Sequence, residues 1–267
     1  MSDDKLRKTH MIPRFHCPSN LAAGGVVALP PELEHHAQRV LRLRPGASVV
    51  LFDGKGGEWN GHLVEAGREL KVALDKWQDI ERESPLRLTL AQALPAADKM
   101  DWVIQKAVEL GVTTLQPLAA KRSVVRLSGD RVATRLRRWQ QVATSACEQC
   151  GRNRVPEVSA VLELPNYLAL LREQQGRALG GGQETAQSAG ELRLMLSPHG
   201  GTRLSELVRP QGMVTLLVGP EGGFEPQEAE AACLAGFTAL VLGPRVLRTE
   251  TAGMAAIAAM MALWGDF

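Results

Sequence analysis

What most constrains this chain is a change of pattern at Leu86. From there onward, short apolar runs alternate with segments that carry apolar residues at helical spacing. Leu86–Leu94 (LRLTLAQAL) reads as a strand. A helix follows from a cap at Asp98 to Leu110, with Met100, Val103, Ile104 and Ala107 on one face and Gly111 at its end. TTLQPL is a short strand, Asp130 to Cys150 a long basic helix, and VLELPNYLALLRE another helix. Strands at ELRLMLSP, MVTLLVG and TALVLG then alternate with helices at PQEAEAACLAG and TETAGMAAIAAMMALW. Such alternation predicts an α/β fold, a mostly parallel sheet covered by helices on both faces.

Two strands of this series run straight into glycine-rich turns and then helices. Val214–Val218 is followed by Gly219-Pro220-Glu221-Gly222-Gly223-Phe224, and Ala239–Leu242 by Gly243-Pro244-Arg245-Val246-Leu247-Arg248-Thr249-Glu250-Thr251. In an open α/β sheet, ligands sit beyond the carboxyl ends of the strands, where loops expose free backbone amides. Glycine lets backbone approach a ligand closely. Neither turn matches the dinucleotide or the Walker phosphate pattern. A cluster of Arg, Thr and Glu opening an Ala-rich helix adds little to a core, so the pair of turns points to a binding site.

The amino-terminal part reads differently. Residues 11–76 hold short runs at IPRF, ASVVLFDG, GEWNGHLVEA and ELKVALD, with one helix predicted over Pro31 to Leu43. Short strands with close turns predict a small β-barrel. Residues 77–85 (WQDIERESP) read as a linker, residues 1–10 as a fraying extension, and Gly176–Gly190 as a low-complexity loop.

Charge is segregated. Residues 121–154 hold nine basic side chains against Asp130 and Glu148, +7 in a chain of net charge +2, so the remainder sums to −5. A second basic group comprises Arg39, Arg42 and Arg44, with Arg14 upstream. Guanidinium forks suit phosphate oxygens, and a basic stripe beside a more acidic half points to a nucleic-acid partner. The side chains expected to meet it are Arg14, Arg39, Arg42, Arg122, Arg135, Arg138 and Arg154. Four cysteines in 267 residues are too few for a secreted disulfide framework, and no apolar run reaches the length of a membrane span. The sequence reads as a cytoplasmic globular protein. Cys147-x-x-Cys150 supplies half a zinc site with no second pair, so it is assigned to packing and no metal is expected. Met254, Met260 and Met261 read as core or dimer interface.

Four motifs carry a resemblance: IQKAVELGV (104–112), ACEQCGRNRVPE (146–157), LLVGPEGGF (216–224) and LGPRVLRTETA (242–252). With these, the chain from Ile12 to Phe267 resembles the uridine-N3 methyltransferases of small-subunit (16S) ribosomal RNA, the RsmE family of SPOUT enzymes. The resemblance implies a PUA-like RNA-binding barrel over 11–76. It also implies a SPOUT domain over 86–267 with a carboxyl-terminal trefoil knot, S-adenosylmethionine as methyl donor, and a homodimer acting on 16S rRNA, in the small subunit.

By the same resemblance, three loops hold the cofactor: Leu196, Ser197 and Pro198; Val218, Gly219, Pro220, Glu221, Gly222 and Gly223; and Leu242, Gly243, Arg245, Leu247, Arg248 and Thr249. Methyl transfer needs near-attack geometry, about 3–3.5 Å between reacting atoms. Uridine N3 carries a proton, so the site needs a base or cations that stabilise the anionic ring. Glu148, Glu221 and Glu250 are the candidate acceptors, and Arg152 and Arg248 the candidate stabilisers. Glu148 and Arg152 are favoured because they lie in the basic window. Glu221 is expected to brace its own loop, and Glu250 to complement the dipole of the last helix. The other readings are a SPOUT methyltransferase on a different rRNA or tRNA base, and a non-catalytic RNA-binding assembly protein.

Overall fold

The computed structural model describes residues 12–19, 21–67, 69–125, 129–180 and 190–267. The predicted amino-terminal extension, Arg126 of the basic window and residues 181–189 of the predicted low-complexity loop lie outside the described residues. The chain divides into two units. One runs to Arg82 and includes Cys147–Val155; the other comprises Glu83–Ala146 and Pro156–Phe267.

The first unit is built on a five-stranded sheet. Its strands are β1 (Arg14–His16), β2 (Val26–Ala28), β3 (Ser48–Phe52), β4 (Glu58–Ala66) and β5 (Glu69–Gln78), in the order β1-β3-β4-β5-β2. All pairs are antiparallel except β1 with β3. Alternation along β5 sends Leu70, Val72 and Leu74 inward, where they meet Phe15, Val49, Leu51 and Leu63. The β4–β5 register shifts at Asn60/Gly61, and a Cβ on Gly61 would stand 2.5 Å from the Ala73 carbonyl oxygen. Only glycine lets the strands close there.

The helix predicted over Pro31 to Leu43 is shorter. Helix α1 (Pro31–His35) passes into a π-helical turn at His36–Val40, where the Leu41 N–H donates to the His36 carbonyl. Arg42, at φ +52°, then turns the chain out of the helix.

The second unit holds an eight-stranded sheet. Its strands are β6 (Leu88–Ala93), β7 (Thr114–Ala119), β8 (Glu157–Val158), β9 (Leu162–Glu163), β10 (Leu192–Leu196), β11 (Thr202–Arg203), β12 (Val214–Val218) and β13 (Thr238–Val241). The order is β11-β13-β10-β12-β6-β7-β8, with β9 also on β7, and every pair is parallel. The central strands β6 and β12 are buried at every residue, as strands covered on both faces must be.

The helices are α2 (Lys99–Glu109), α3 (Asp130–Cys150), α4 (Leu164–Gly180), α5 (Pro226–Leu234) and α6 (Thr249–Trp264). Ala91 and Ala93 of β6 pack with Leu168 and Leu171 of α4 and Ala232 of α5. Gln92, pointing the other way, meets Thr249 at the start of α6. Met254, Met260 and Met261 are buried inside this chain, so the core alone accounts for them. Among the described residues no helix is long and apolar enough to cross a membrane, and no group of His, Cys, Asp or Glu could hold a metal.

One local expectation is corrected. Asp98 precedes α2 but its side chain makes no capping bond; it accepts instead from Arg135 at 2.7 Å. At α5, where a Ser or Thr cap is absent, the Glu228 carboxylate takes the Glu225 N–H at 2.9 Å, with Pro226 at the first helical position.

Candidate functional site

Strands β13, β10 and β12 are neighbours in the sheet although β13 comes last in sequence. Met195 pairs with Leu217, and Leu196 with Leu240. Their carboxyl ends therefore lie side by side, and the loops that follow them converge. They enclose a cavity of about 580 Å³. Of the fifteen residues assigned above to cofactor loops, fourteen line it: Leu196, Ser197, Pro198, Val218, Gly219, Pro220, Glu221, Gly223, Leu242, Gly243, Arg245, Leu247, Arg248 and Thr249.

The exception is Gly222. Its carbonyl accepts from Arg122 Nη1 at 3.0 Å, and a Cβ there would stand 3.3 Å from the Arg122 side chain. A side chain at 222 therefore meets Arg122. Met195, His199, Phe224, Ala229, Val246 and Ala252, none of them among the sequence-predicted residues, also line the cavity. Phe224 and Val246 lie within the glycine-rich turns, and proximity to those motifs was the available signal for them.

Hydrogen bonds fix each loop. The Ser197 N–H donates to the Leu240 carbonyl at 2.9 Å, and its hydroxyl to the His199 carbonyl at 2.9 Å. The Gly223 N–H closes a turn on the Pro220 carbonyl at 2.9 Å. Thr249 Oγ1 donates to the Gly219 carbonyl and accepts from Gln92 Nε2 at 3.1 Å. Glu221 does not brace its own loop alone. Both its oxygens accept the Ala96 N–H, at 3.0 and 3.2 Å, and Lys99 Nζ lies 3.1 Å away. Burial works to raise the Glu221 carboxyl, but these bonds outweigh it and hold the group below its ordinary value. Lys99 reaches Glu250 as well, at 3.2 Å. One cation thus ties the loop after β12 and the first turn of α6 to the start of α2. Ala97, between these bonded groups, takes a left-handed φ of +57°, a strained conformation of the kind that collects at functional sites.

The assigned catalytic residues divide. Arg248 lines the cavity and Glu250 follows it on α6, whereas Glu148 and Arg152 belong to the first unit. There Glu148 accepts the His16 N–H at 2.9 Å, and burial pushes its carboxyl above the ordinary range. Arg152 is buried.

The arginines assigned to RNA divide too. Arg14 is drawn into the first unit, with Nη1 2.6 Å from Glu58 and Nη2 on Asn153 Oδ1. Arg135 pairs with Asp98, Arg138 with Asp101 and Arg154 with Glu81. Arg39 and Arg42 are exposed and make no ion pair among the described residues.

A family model described as an RNA methyltransferase domain matches residues 82–261, and one described as an RNA methyltransferase PUA domain matches residues 32–73. A Mycobacterium bovis protein named ribosomal RNA small subunit methyltransferase E is 35% identical over 240 residues, covering 89% of this chain and 86% of its own. The crystal structure of a ribosomal RNA small subunit methyltransferase E from Neisseria gonorrhoeae bound to S-adenosylmethionine is 40% identical. It superposes with a TM-score of 0.83 over 96% of this chain and all of that one. A Legionella pneumophila protein solved with the bound cofactor SAM is 32% identical and gives a TM-score of 0.85, again over 96% of this chain and all of that one.

Proposed function

The chain belongs to the RNA methyltransferase family, and from that premise we propose that it transfers a methyl group from S-adenosylmethionine to N3 of a uridine in 16S rRNA. The observation that carries this reading is the shared cavity made by the three loops after β10, β12 and β13, in a chain similar over most of its length to proteins named ribosomal RNA small subunit methyltransferase E.

The cavity fits the cofactor. Its volume falls in the usual range for ligand sites, roughly 300–1,000 Å³. Leu196, Leu242, Leu247 and Phe224 supply apolar wall for an adenine ring. Gly223 and Gly243, at φ +66° and +119°, have open space where a Cβ would stand, so a ligand can approach the backbone closely there. When bound, the cofactor supplies an electrophilic methyl group.

The protein's part is to orient, to move a proton and to stabilise charge. Arg248, at the cavity, is the first candidate to stabilise the uridine ring as N3 becomes anionic, and Arg152, in the first unit, is the second. The proton acceptor is assigned to Glu148. Glu221 is charge-compensated by Lys99 and held low, and Glu250 shares the same cation, while burial holds the Glu148 carboxyl above its ordinary range. The finer architecture follows the same reading. Residues 11–76 form a PUA-like RNA-binding barrel, and residues 86–267 form a SPOUT domain whose last helix closes a trefoil knot. The enzyme is a cytoplasmic homodimer acting on the small ribosomal subunit.

The test is methyl transfer from labelled S-adenosylmethionine to unmodified small subunits and to their free RNA, with mass spectrometry of the nucleosides. Label in N3-methyluridine is expected. Label in another nucleoside overturns the uridine assignment, and neither label nor cofactor binding favours the assembly-protein reading.

A further inference from the structure

Gln92 is out of place for the core it occupies. Strand β6 reads Leu-Thr-Leu-Ala-Gln-Ala, is buried along its whole length, and shows no exposure at all at Gln92. A carboxamide in such a strand weakens folding unless each of its polar atoms is bonded, and here one is not. Nε2 donates to the Ala93 carbonyl at 2.9 Å and to Thr249 Oγ1 at 3.1 Å, while Oε1 has no partner. Turning the amide over would set the oxygen against the Ala93 carbonyl, acceptor facing acceptor, and beside a Thr249 hydroxyl whose one hydrogen already goes to the Gly219 carbonyl.

The direction of the remaining bonds follows from counting protons. The Thr249 hydroxyl has one hydrogen, and it goes to the Gly219 carbonyl. Its lone pair is therefore what takes the Gln92 N–H. The chain Gln92→Thr249→Gly219 ends on the first residue of the loop after β12, and its middle member opens α6; Thr249 and Gly219 line the cavity and Gln92 does not. Folding alone needs none of this. An apolar side chain of similar size would fill the space without an unpaired oxygen, and Thr249 could still reach Gly219. What the amide adds is a fixed hydroxyl rotor, so that the Gly219 carbonyl stays turned to Thr249 and two of the three loops stay in register with each other.

We infer that Gln92 is a positioning residue for the cofactor cavity, acting through Thr249 on Gly219; this rests on the reading that the cavity holds S-adenosylmethionine. The test uses the full chain, with calorimetric titration of S-adenosylmethionine and urea unfolding read side by side. Gln92→Leu is expected to unfold at the same or higher urea concentration than the wild type and to bind the cofactor about five- to tenfold more weakly, the range for one broken hydrogen-bond link. KM for the cofactor should rise by the same factor, with kcat at saturation within about threefold. Thr249→Val should weaken binding comparably, and adding Gln92→Leu to it should cost nothing more, because the link is already cut.

Wild-type affinity in a folded Gln92→Leu overturns the inference, as does full additivity of the two substitutions. If Gln92→Leu does not fold, the threonine arm decides: Thr249→Val binding as tightly as the wild type overturns it, whereas Thr249→Ser, which keeps the hydroxyl, should bind normally. Wild-type protein that binds no S-adenosylmethionine overturns the cofactor reading itself, a result separable from all of these.

Discussion

Glu58→Gln tests whether a buried charge holds the turn after α3 that carries Arg152. Glu58 lies on β4 with its side chain 7% exposed and accepts from three donors: Arg14 Nη1 at 2.6 Å, Asn153 Nδ2 at 3.1 Å and Arg82 Nη1 at 3.2 Å. Arg14, 10% exposed, also donates to the Gly151 and Arg152 carbonyls at 3.3 and 3.4 Å and sits 5.1 Å from the Phe52 ring centroid. The pair therefore fastens residues 151–153 to β1 and β4. Glutamine keeps the shape and can keep an oxygen where Oε2 meets all three donors, but it removes the negative charge that the two guanidinium groups face. Breaking a buried ion pair costs about 3–5 kcal/mol. The bonds Arg14 retains place this variant at the lower end, about 3 kcal/mol. Arg82, 44% exposed, contributes far less, so Arg82→Met should cost under about 1 kcal/mol.

Urea unfolding followed by tryptophan fluorescence, in a background with Trp102, Trp139 and Trp264 replaced by Phe so that only Trp59 and Trp77 report, reads the first unit, and the pH dependence supplies the sign. Burial acts to raise the Glu58 carboxyl, but bonds from Arg14, Asn153 and Arg82 prevail and hold it below its ordinary 4.5. A group with a lowered folded value stabilises above its unfolded value and loses that contribution as pH falls through the folded one. The wild-type advantage over Glu58→Gln should thus be full at neutrality and shrink below about pH 4.5. A cost under about 1 kcal/mol at pH 7, a gap that ignores pH, or an equal cost for Arg82→Met would refute the reasoning.

Three further outcomes are expected. Glu148→Gln keeps an acceptor for the His16 N–H and removes a carboxyl whose value burial raises. Since a raised carboxyl loses stability as pH climbs through its folded value, this variant should be as stable as wild type or more so at pH 7–8. Its methyl transfer should fall about 10²- to 10⁴-fold in a single-turnover assay if Glu148 takes the proton. Neutralising Arg39 and Arg42 should lower the slope of log affinity for RNA against log salt by up to about 0.7 for each phosphate no longer neutralised. Neutralising Arg135 and Arg138, already paired with Asp98 and Asp101, should lower it less, and filter binding across a salt series separates the two. Gly61→Ala places a Cβ against the Ala73 carbonyl and should destabilise the first unit by about 1–3 kcal/mol in the same urea assay, the scale of an overpacked site.

The fold of the second unit was legible because its elements are long enough to declare a period. Strands β6, β10, β12 and β13 and helices α2, α3, α5 and α6 stand where the apolar runs and helical spacing put them. Four strands of two or three residues, β2, β8, β9 and β11, were not legible, since alternation needs more residues than they have, whereas the equally short β1 was marked by the run IPRF. The π-helical turn at His36–Val40 escaped for a related reason. Its apolar spacing over one turn is that of an ordinary helix, and Arg42, which ends it with a positive φ, carries no glycine to mark the break.

The cavity was legible and its support was not, and the difference is physical. Loops that must let a ligand approach backbone are written in glycine and proline directly after a strand, so Gly219–Phe224 and Gly243–Thr251 announce themselves in the sequence. What holds those loops still is distant in sequence and ordinary in composition: Gln92 inside an apolar strand, and Lys99 with the Ala96 N–H at the start of α2. The same blindness affects the basic window. Its sum of +7 was taken over consecutive residues, yet Asp98 and Asp101, outside the window, reach two of its arginines at 2.7 and 2.6 Å. Charge available to a phosphate is the charge left after folding has paired it. By that measure Arg39 and Arg42, a minor group in the sequence, are freer to meet RNA than Arg135 and Arg138 in the window that dominates it.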